Sequence, residues 1–185
     1  SNKISAIKFS EDILFMSLII MISLTSVLQI FMPFFIFFIA YGFTNDPIKY
    51  DLAINFSRIT APYILLISLS SIGIAILNSL GRYFASSLGP VIFNAVLVFI
   101  LILPINNIYS MGYLLSFGVT FSGVIQFLLI FYFLSKSGYK LNLRKPDNLN
   151  LINKFSTIAR PQIITGLAVQ ANIVLSGIIA SFVEG

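Results

Sequence analysis

The chain has no cysteine, no histidine and no tryptophan, and only 9% of its 185 residues are charged. Without cysteine, disulfides and thiolate metal sites are excluded. Without histidine, the commonest metal ligand and the commonest general base near neutral pH are missing. Charge is scarce because 58% of the residues are hydrophobic, and a soluble domain of this length could not hide so much apolar surface. The net charge of +5 does not form a basic patch among aromatics, so nucleic acid is not an expected partner. All six acidic residues lie in loops or at the ends of apolar runs. The mid-membrane carboxylate that marks proton- and cation-coupled pumps is therefore missing from these residues.

What is present is five long apolar runs, at 13–43, 59–80, 88–105, 108–134 and 158–183. Each reaches or approaches the ~20 residues that an α-helix needs to cross a bilayer. Only helices and closed barrels satisfy their own backbone hydrogen bonds in lipid, and these runs are continuous rather than alternating. The expected fold is all-α, a polytopic transmembrane bundle of five spanning helices with short amphipathic interfacial helices. The chain opens without Met and closes at Glu184-Gly185 directly after an apolar run, so it reads as a piece of a longer protein.

Lys and Arg sort by loop. Nine of them (Lys3, Lys8, Arg82, Lys136, Lys140, Arg144, Lys145, Lys154 and Arg160) fall on one set of alternating connections, and two (Lys49 and Arg58) on the other. Cytoplasmic loops carry such an excess. Residues 1–10, 81–87 and 135–157 are thus expected in the cytoplasm, and 184–185 outside. Tyrosines near the run ends suit the headgroup level, with no tryptophan to share the belt.

Two connections should carry structure of their own. Asp46 is a good N-cap and Pro47 fits the first helical position. Ile48, Leu52, Phe56, Ile59 and Tyr63 then recur at helical spacing, so an amphipathic helix is expected to lead into the second span, with Pro62 kinking or restarting it. On the inner side, 136–157 reads as a linker. Asp147 or Asn148 would cap a helix along the inner leaflet there, ahead of Pro161. The domain reading is 1–135 as four helices of one lobe, 136–157 as the linker, and 158–185 as the first span of a second lobe.

Inside the runs the polar residues are amides: Gln29, Asn78, Asn94, Gln126, Gln162, Gln170 and Asn172. The ordinary role of each is a helix–helix hydrogen bond worth about 1 kcal/mol; the alternative is the wall of a wet cavity. Small-residue stripes (Ser71, Ala75, Ser79; Gly118, Ser122, Gln126; Asn172, Ser176, Ala180) read as close helix packing, although in the fifth run Gln170 and Asn172 fit a cavity face equally well. Arg82 suits anchoring at the inner surface. Arg58 stands on the side where the charge rule gives it no reason to be, so it either binds phosphate or holds the corner by bonding backbone carbonyls. No catalytic constellation, metal cluster or cofactor motif is expected.

The segment Arg58-Ile59-Thr60-Ala61-Pro62-Tyr63-Ile64-Leu65-Leu66-Ile67-Ser68-Leu69, running on to Ile76-Leu77-Asn78-Ser79-Leu80-Gly81-Arg82-Tyr83-Phe84-Ala85, resembles the MurJ/MviN family of lipid II flippases. Gly89-Pro90-Val91-Ile92-Phe93-Asn94 is similar to that family's A-P-V-x-x-N. Val169-Gln170-Ala171-Asn172 with Ile178-Ile179-Ala180-Ser181-Phe182 is similar to its seventh span. Four segments in order cover essentially the whole chain. Ala61 stands where the family usually has Phe, and Ser86-Ser87 where it tends to have Ala-Pro or Ala.

The resemblance implies a bacterial inner-membrane protein of the MOP exporter superfamily, here with spans three to seven. It implies movement of undecaprenyl-pyrophosphate-linked peptidoglycan precursor to the outer leaflet by alternating access, with membrane lipids and cell-wall synthesis proteins as partners. The arginines of the family's central cavity lie mostly in its first, second and eighth spans. The residues carried over as substrate-path candidates are Arg58, Asn78 and Arg82, to which the amides Gln170 and Asn172 are added. The rival readings are another exporter of the superfamily, acting on O-antigen or teichoic-acid lipids or on drugs, and a non-transporting membrane scaffold.

Overall fold

The computed structural model describes residues 2–143 and 174–180. Helix α1 spans Asn2–Ile39, a 3-10 turn follows at Tyr41–Asn45, and α2 covers Pro47–Thr60. Then come α3 (Pro62–Ser79), α4 (Tyr83–Leu101) and α5 (Ile108–Lys136). Residues 174–180 are helical as well. Among the described residues there is no strand. Four stretches are long and apolar enough to cross a membrane: Ser5–Ile39, Pro47–Ser79, Tyr83–Leu101 and Ile108–Lys136. The chain is thus an all-α polytopic membrane protein. The expected inner-leaflet helix and most of the fifth run, with Gln170 and Asn172, lie outside the described residues.

The helix ends follow the local chemistry. Asp46 Oδ1 accepts from the amides of Ile48 and Lys49 at 3.0 and 3.2 Å, so the expected cap and the Pro47 start both form. Asn107 caps α5 in the same way, accepting from Tyr109 N at 2.9 Å. At the other ends, α3 and α5 stop in matching turns on Gly81 (φ +73°) and Gly138 (φ +78°). In each turn two amides fold back: Arg82 N onto Leu77 O and Gly81 N onto Asn78 O, then Tyr139 N onto Leu134 O and Gly138 N onto Ser135 O. This is the Schellman geometry, in which a left-handed residue satisfies the last carbonyls of a helix.

The chain divides into two compact units, Ser1–Ile30 with Phe56–Lys145 and Phe31–Asn55 with Pro146–Gly185. In the first, α5 packs against both α3 and α4. Apolar solvent gives no hydrophobic drive in lipid, so close approach of the helices carries the packing, and glycines supply it. Gly73 lies under Ile130, Gly118 under Ile100, Gly123 against the Tyr63 ring and Gly89 against Gln126. Leu77, Ala85, Ile130 and Leu134 form the buried centre at one end. In the second unit, Pro33 interrupts α1, with Phe31 off helical geometry (φ −96°, ψ 16°). The Tyr50 hydroxyl donates to Pro33 O at 2.7 Å, and the Phe34 and Phe38 rings meet edge-on at 4.6 Å.

The contacts fix direction. Thr120 meets Ile59 and Gly123 meets Tyr63, while further along Gly73 meets Ile130, so α3 runs parallel to α5. Gly89 pairs with Gln126 and Ile100 with Gly118, so α4 runs antiparallel to both. Glu11 bonds Asn142, beyond the end of α5, whereas Gln29 bonds Arg58 at the opposite end. The first-unit part of α1 therefore also runs against α5. Neighbouring spans alternate, as the loop charges require.

Two expectations need correction. The first apolar run begins at 13, but α1 begins at Asn2. Glu11 and Asp12, at the foot of that run, therefore lie inside the helix, where each is only 5% exposed. The stripe Ser71, Ala75, Ser79 is exposed rather than packed, because the buried face of α3 is Leu69, Ser70, Gly73 and Leu77. By contrast Gly118, Ser122 and Gln126 are buried, as expected of a packing stripe.

Candidate functional site

Helix α3 rises about 27 Å over its 18 residues at 1.5 Å per residue, close to the hydrocarbon thickness. Arg58 stands just before it and Arg82 just after it, and both are exposed. The structure does not bring the two arginines together. It does bring Asn78 and Arg82 to one corner, four residues apart across the Gly81 turn. Between the corners the exposed face of α3 carries Ile64 and Ile67 toward Arg58 and the small residues Ser71, Ala75 and Ser79 toward Arg82.

The corner at Pro62 follows from a missing donor. In a helix the amide of residue 62 would bond the carbonyl of Arg58, and proline has no N–H to give. The Gln29 side-chain amide donates to Arg58 O instead, at 2.7 Å. One residue on, the Thr120 hydroxyl donates to Ile59 O at 2.6 Å. The main chain passes through Ala61 at helical angles (φ −53°, ψ −38°). Ala61 itself is 5% exposed, so a small side chain fits the packing here. Thr60 Oγ1 bonds Phe56 O at 3.0 Å, and the Phe56 ring meets Tyr113 edge-on at 5.0 Å. The corner carbonyls are thus held by Gln29 and Thr120, not by the Arg58 side chain as one expectation had it. The guanidinium is left to project outward from the last turn of α2, where the helix dipole favours a cation.

The corner at Gly81 is different in kind. Arg82 starts α4 without capping it, and Tyr83 and Phe84 are strongly exposed beside it, while Ala85 is buried against Leu77 and Leu134. Asn78 Oδ1 is covered and has no hydrogen-bond partner among the described residues. Beyond α5, Glu11 Oε1 accepts the amide of Asn142 at 2.9 Å, tying α1 to the segment that leaves α5.

Sequence reasoning missed Thr120 and Glu11; for Gln29 it offered a helix–helix hydrogen bond or a cavity wall, and the first is what forms, with an acceptor that was not foreseen. A usable signal existed for Gln29: a proline inside a helical pattern leaves a carbonyl needing a donor, and an intramembrane amide is a fitting one. No comparable signal picks out Thr120. Among the described residues no group of acids could hold a metal ion. A recess of about 420 Å³ between α4 and α5, lined by residues such as Ile100, Phe117, Phe121 and Val124, is apolar and offers nothing to a phosphate.

The sequence profile of the family described as Lipid II flippase MurJ matches residues 1–185. A probable lipid II flippase MurJ of Rhizobium meliloti is 32% identical over 182 residues, covering 96% of this chain and 34% of that protein. That of Rhizobium tropici is 29% identical over 182 residues, with the same coverage. That of Rickettsia prowazekii is 29% identical over 184 residues, covering all of this chain and 36% of the relative. The chain spans about a third of the length of these curated relatives. With the match running from its first residue to its last, the chain belongs to the MurJ family of lipid II flippases.

Proposed function

We propose that the chain forms part of a transporter that carries undecaprenyl-pyrophosphate-linked peptidoglycan precursor from the inner to the outer leaflet of the bacterial cytoplasmic membrane. The observation that carries this reading is the pair of exposed arginines at the two ends of α3, whose exposed face carries Ser71, Ala75 and Ser79 over the half nearer Arg82 and Ile64 and Ile67 over the half nearer Arg58. A charge at mid-bilayer costs at least ~2.5–3.5 kcal/mol, and a pyrophosphate bears more than one. Cations and polar groups that replace its water reduce that cost, while the polyprenyl tail stays in lipid. In this reading Arg58 and Arg82 meet the headgroup near opposite surfaces, with Asn78 beside the inner one. Gln170 and Asn172, in the apolar run after the linker, remain candidates for the same substrate. The linker 136–157 joins two lobes that rock to open one side at a time, and residues 1–10 lie in the cytoplasm.

The test replaces the gene in a cell depleted of its own flippase and measures precursor reaching the outer leaflet. Arg58→Ala and Arg82→Ala should each lower transport several-fold at unchanged membrane abundance, with the Lys variants intermediate. Full transport by both Ala variants would remove α3 from the substrate path.

A further inference from the structure

The Pro62 corner contains a replacement that the sequence pattern hides. The main chain through Ala61 keeps helical angles, so what the proline removes is a donor more than a direction. A helix carbonyl that loses its backbone donor needs another partner, and the side chain that fills the role belongs to another helix. Gln29 reaches Arg58 O at 2.7 Å from α1, across 29 positions of sequence. The neighbouring carbonyl, Ile59 O, is held from α5 by Thr120 at 2.6 Å. The last turn of α2 is therefore fixed from two sides, and Arg58 is the residue whose own carbonyl is gripped.

We propose that Gln29 is a positioning residue. Its amide stands in for the N–H that Pro62 lacks, and so fixes the turn from which the Arg58 guanidinium projects toward the substrate's phosphates. The inference rests on the role given to Arg58 above. It makes a demand that simple helix–helix adhesion does not. If the amide substitutes for a backbone donor, then restoring that donor must make the amide dispensable.

Gln29→Met keeps length and removes the donor. Pro62→Ala restores the N–H opposite Arg58 O. In the full chain as its gene encodes it, transport and detergent melting temperature are measured for Gln29→Met, Pro62→Ala, the double variant and Arg58→Ala. The expected result is that Gln29→Met loses most of its transport, Pro62→Ala keeps it, and the double variant regains it. A double variant as poor as Gln29→Met, or a fully active Gln29→Met, overturns the proposal. If Arg58→Ala transports normally while the rescue appears in melting temperature alone, the donor exchange stands. The substrate role of Arg58 then falls, and the positioning role with it.

Discussion

A methyl group added at Gly73 would run into the β-branch methyl of Ile130 and come within 3.0 Å of Leu134 Cδ1. Both neighbours are 1% exposed and cannot step aside. Gly73→Ala should therefore cost about 1–3 kcal/mol, the usual range for overpacking, seen as a lower melting temperature in detergent. Ile130→Leu removes the obstructing methyl at similar volume, so the double variant should recover part of the loss. If Gly73→Ala melts with the parent, α3 and α5 do not approach as closely as described. At this scale the sequence was half legible. The arginines and Asn78 could be named in advance. Which acceptor Gln29 serves could not, because an orphaned carbonyl announces a need and not the helix that answers it. The partner of Glu11 was missed for a related reason: nothing in a carboxylate at the foot of an apolar run announces that a distant amide, Asn142, bonds it.

Elements are stopped by backbone chemistry, and α3 shows it most simply. Gly81 holds φ at +73° with nothing near its missing Cβ, so a side chain there would suffer from backbone conformation alone. An L-residue in that region costs about 1–2 kcal/mol. Gly81→Ala should lower stability by that amount, and Gly81→Asn by less, since Asn tolerates the left-handed region. Equal melting of all three proteins would mean that the turn is not the Schellman form. The positions of the spans were readable from apolar run length, since the helices must satisfy themselves in lipid. Their ends were less so. Helix α4 starts at Tyr83 and ends at Leu101, where the apolar run suggested 88–105: the Gly81 turn permits an early start, and Pro104 cannot prolong the helix. The exposed Ser71, Ala75, Ser79 stripe was misread as packing because helical spacing shows which residues share a face. It does not show what that face meets, and Gly73 with Leu77 on the opposite side took the contact with α5.

For the molecule as a whole, alternation and orientation are separate matters. The contacts establish that the first-unit part of α1, α3, α4 and α5 alternate in direction. Orientation rests on loop charge alone, nine basic residues against two, from which the ends bearing the nine are expected in the cytoplasm. A flippase of the proposed kind depends on this, because the phosphate-bearing headgroup must be met first at the inner surface, where Arg82, Tyr83 and Lys140 would stand. These 185 residues contain no cysteine, so single introduced thiols report without interference from this segment. Asn45, Asn106, Tyr83 and Lys140 are all exposed in connections or at helix starts. In intact spheroplasts an impermeant maleimide should label Asn45→Cys and Asn106→Cys, and should reach Tyr83→Cys and Lys140→Cys only after permeabilisation. The opposite pattern would invert the assembly and leave Arg58, rather than Arg82, facing the pool of newly made precursor. Labelling of Asn45→Cys and Tyr83→Cys from the same side would contradict an odd number of crossings between them. The stretch Pro47–Ser79 would then not traverse the bilayer, and no headgroup could pass along α3.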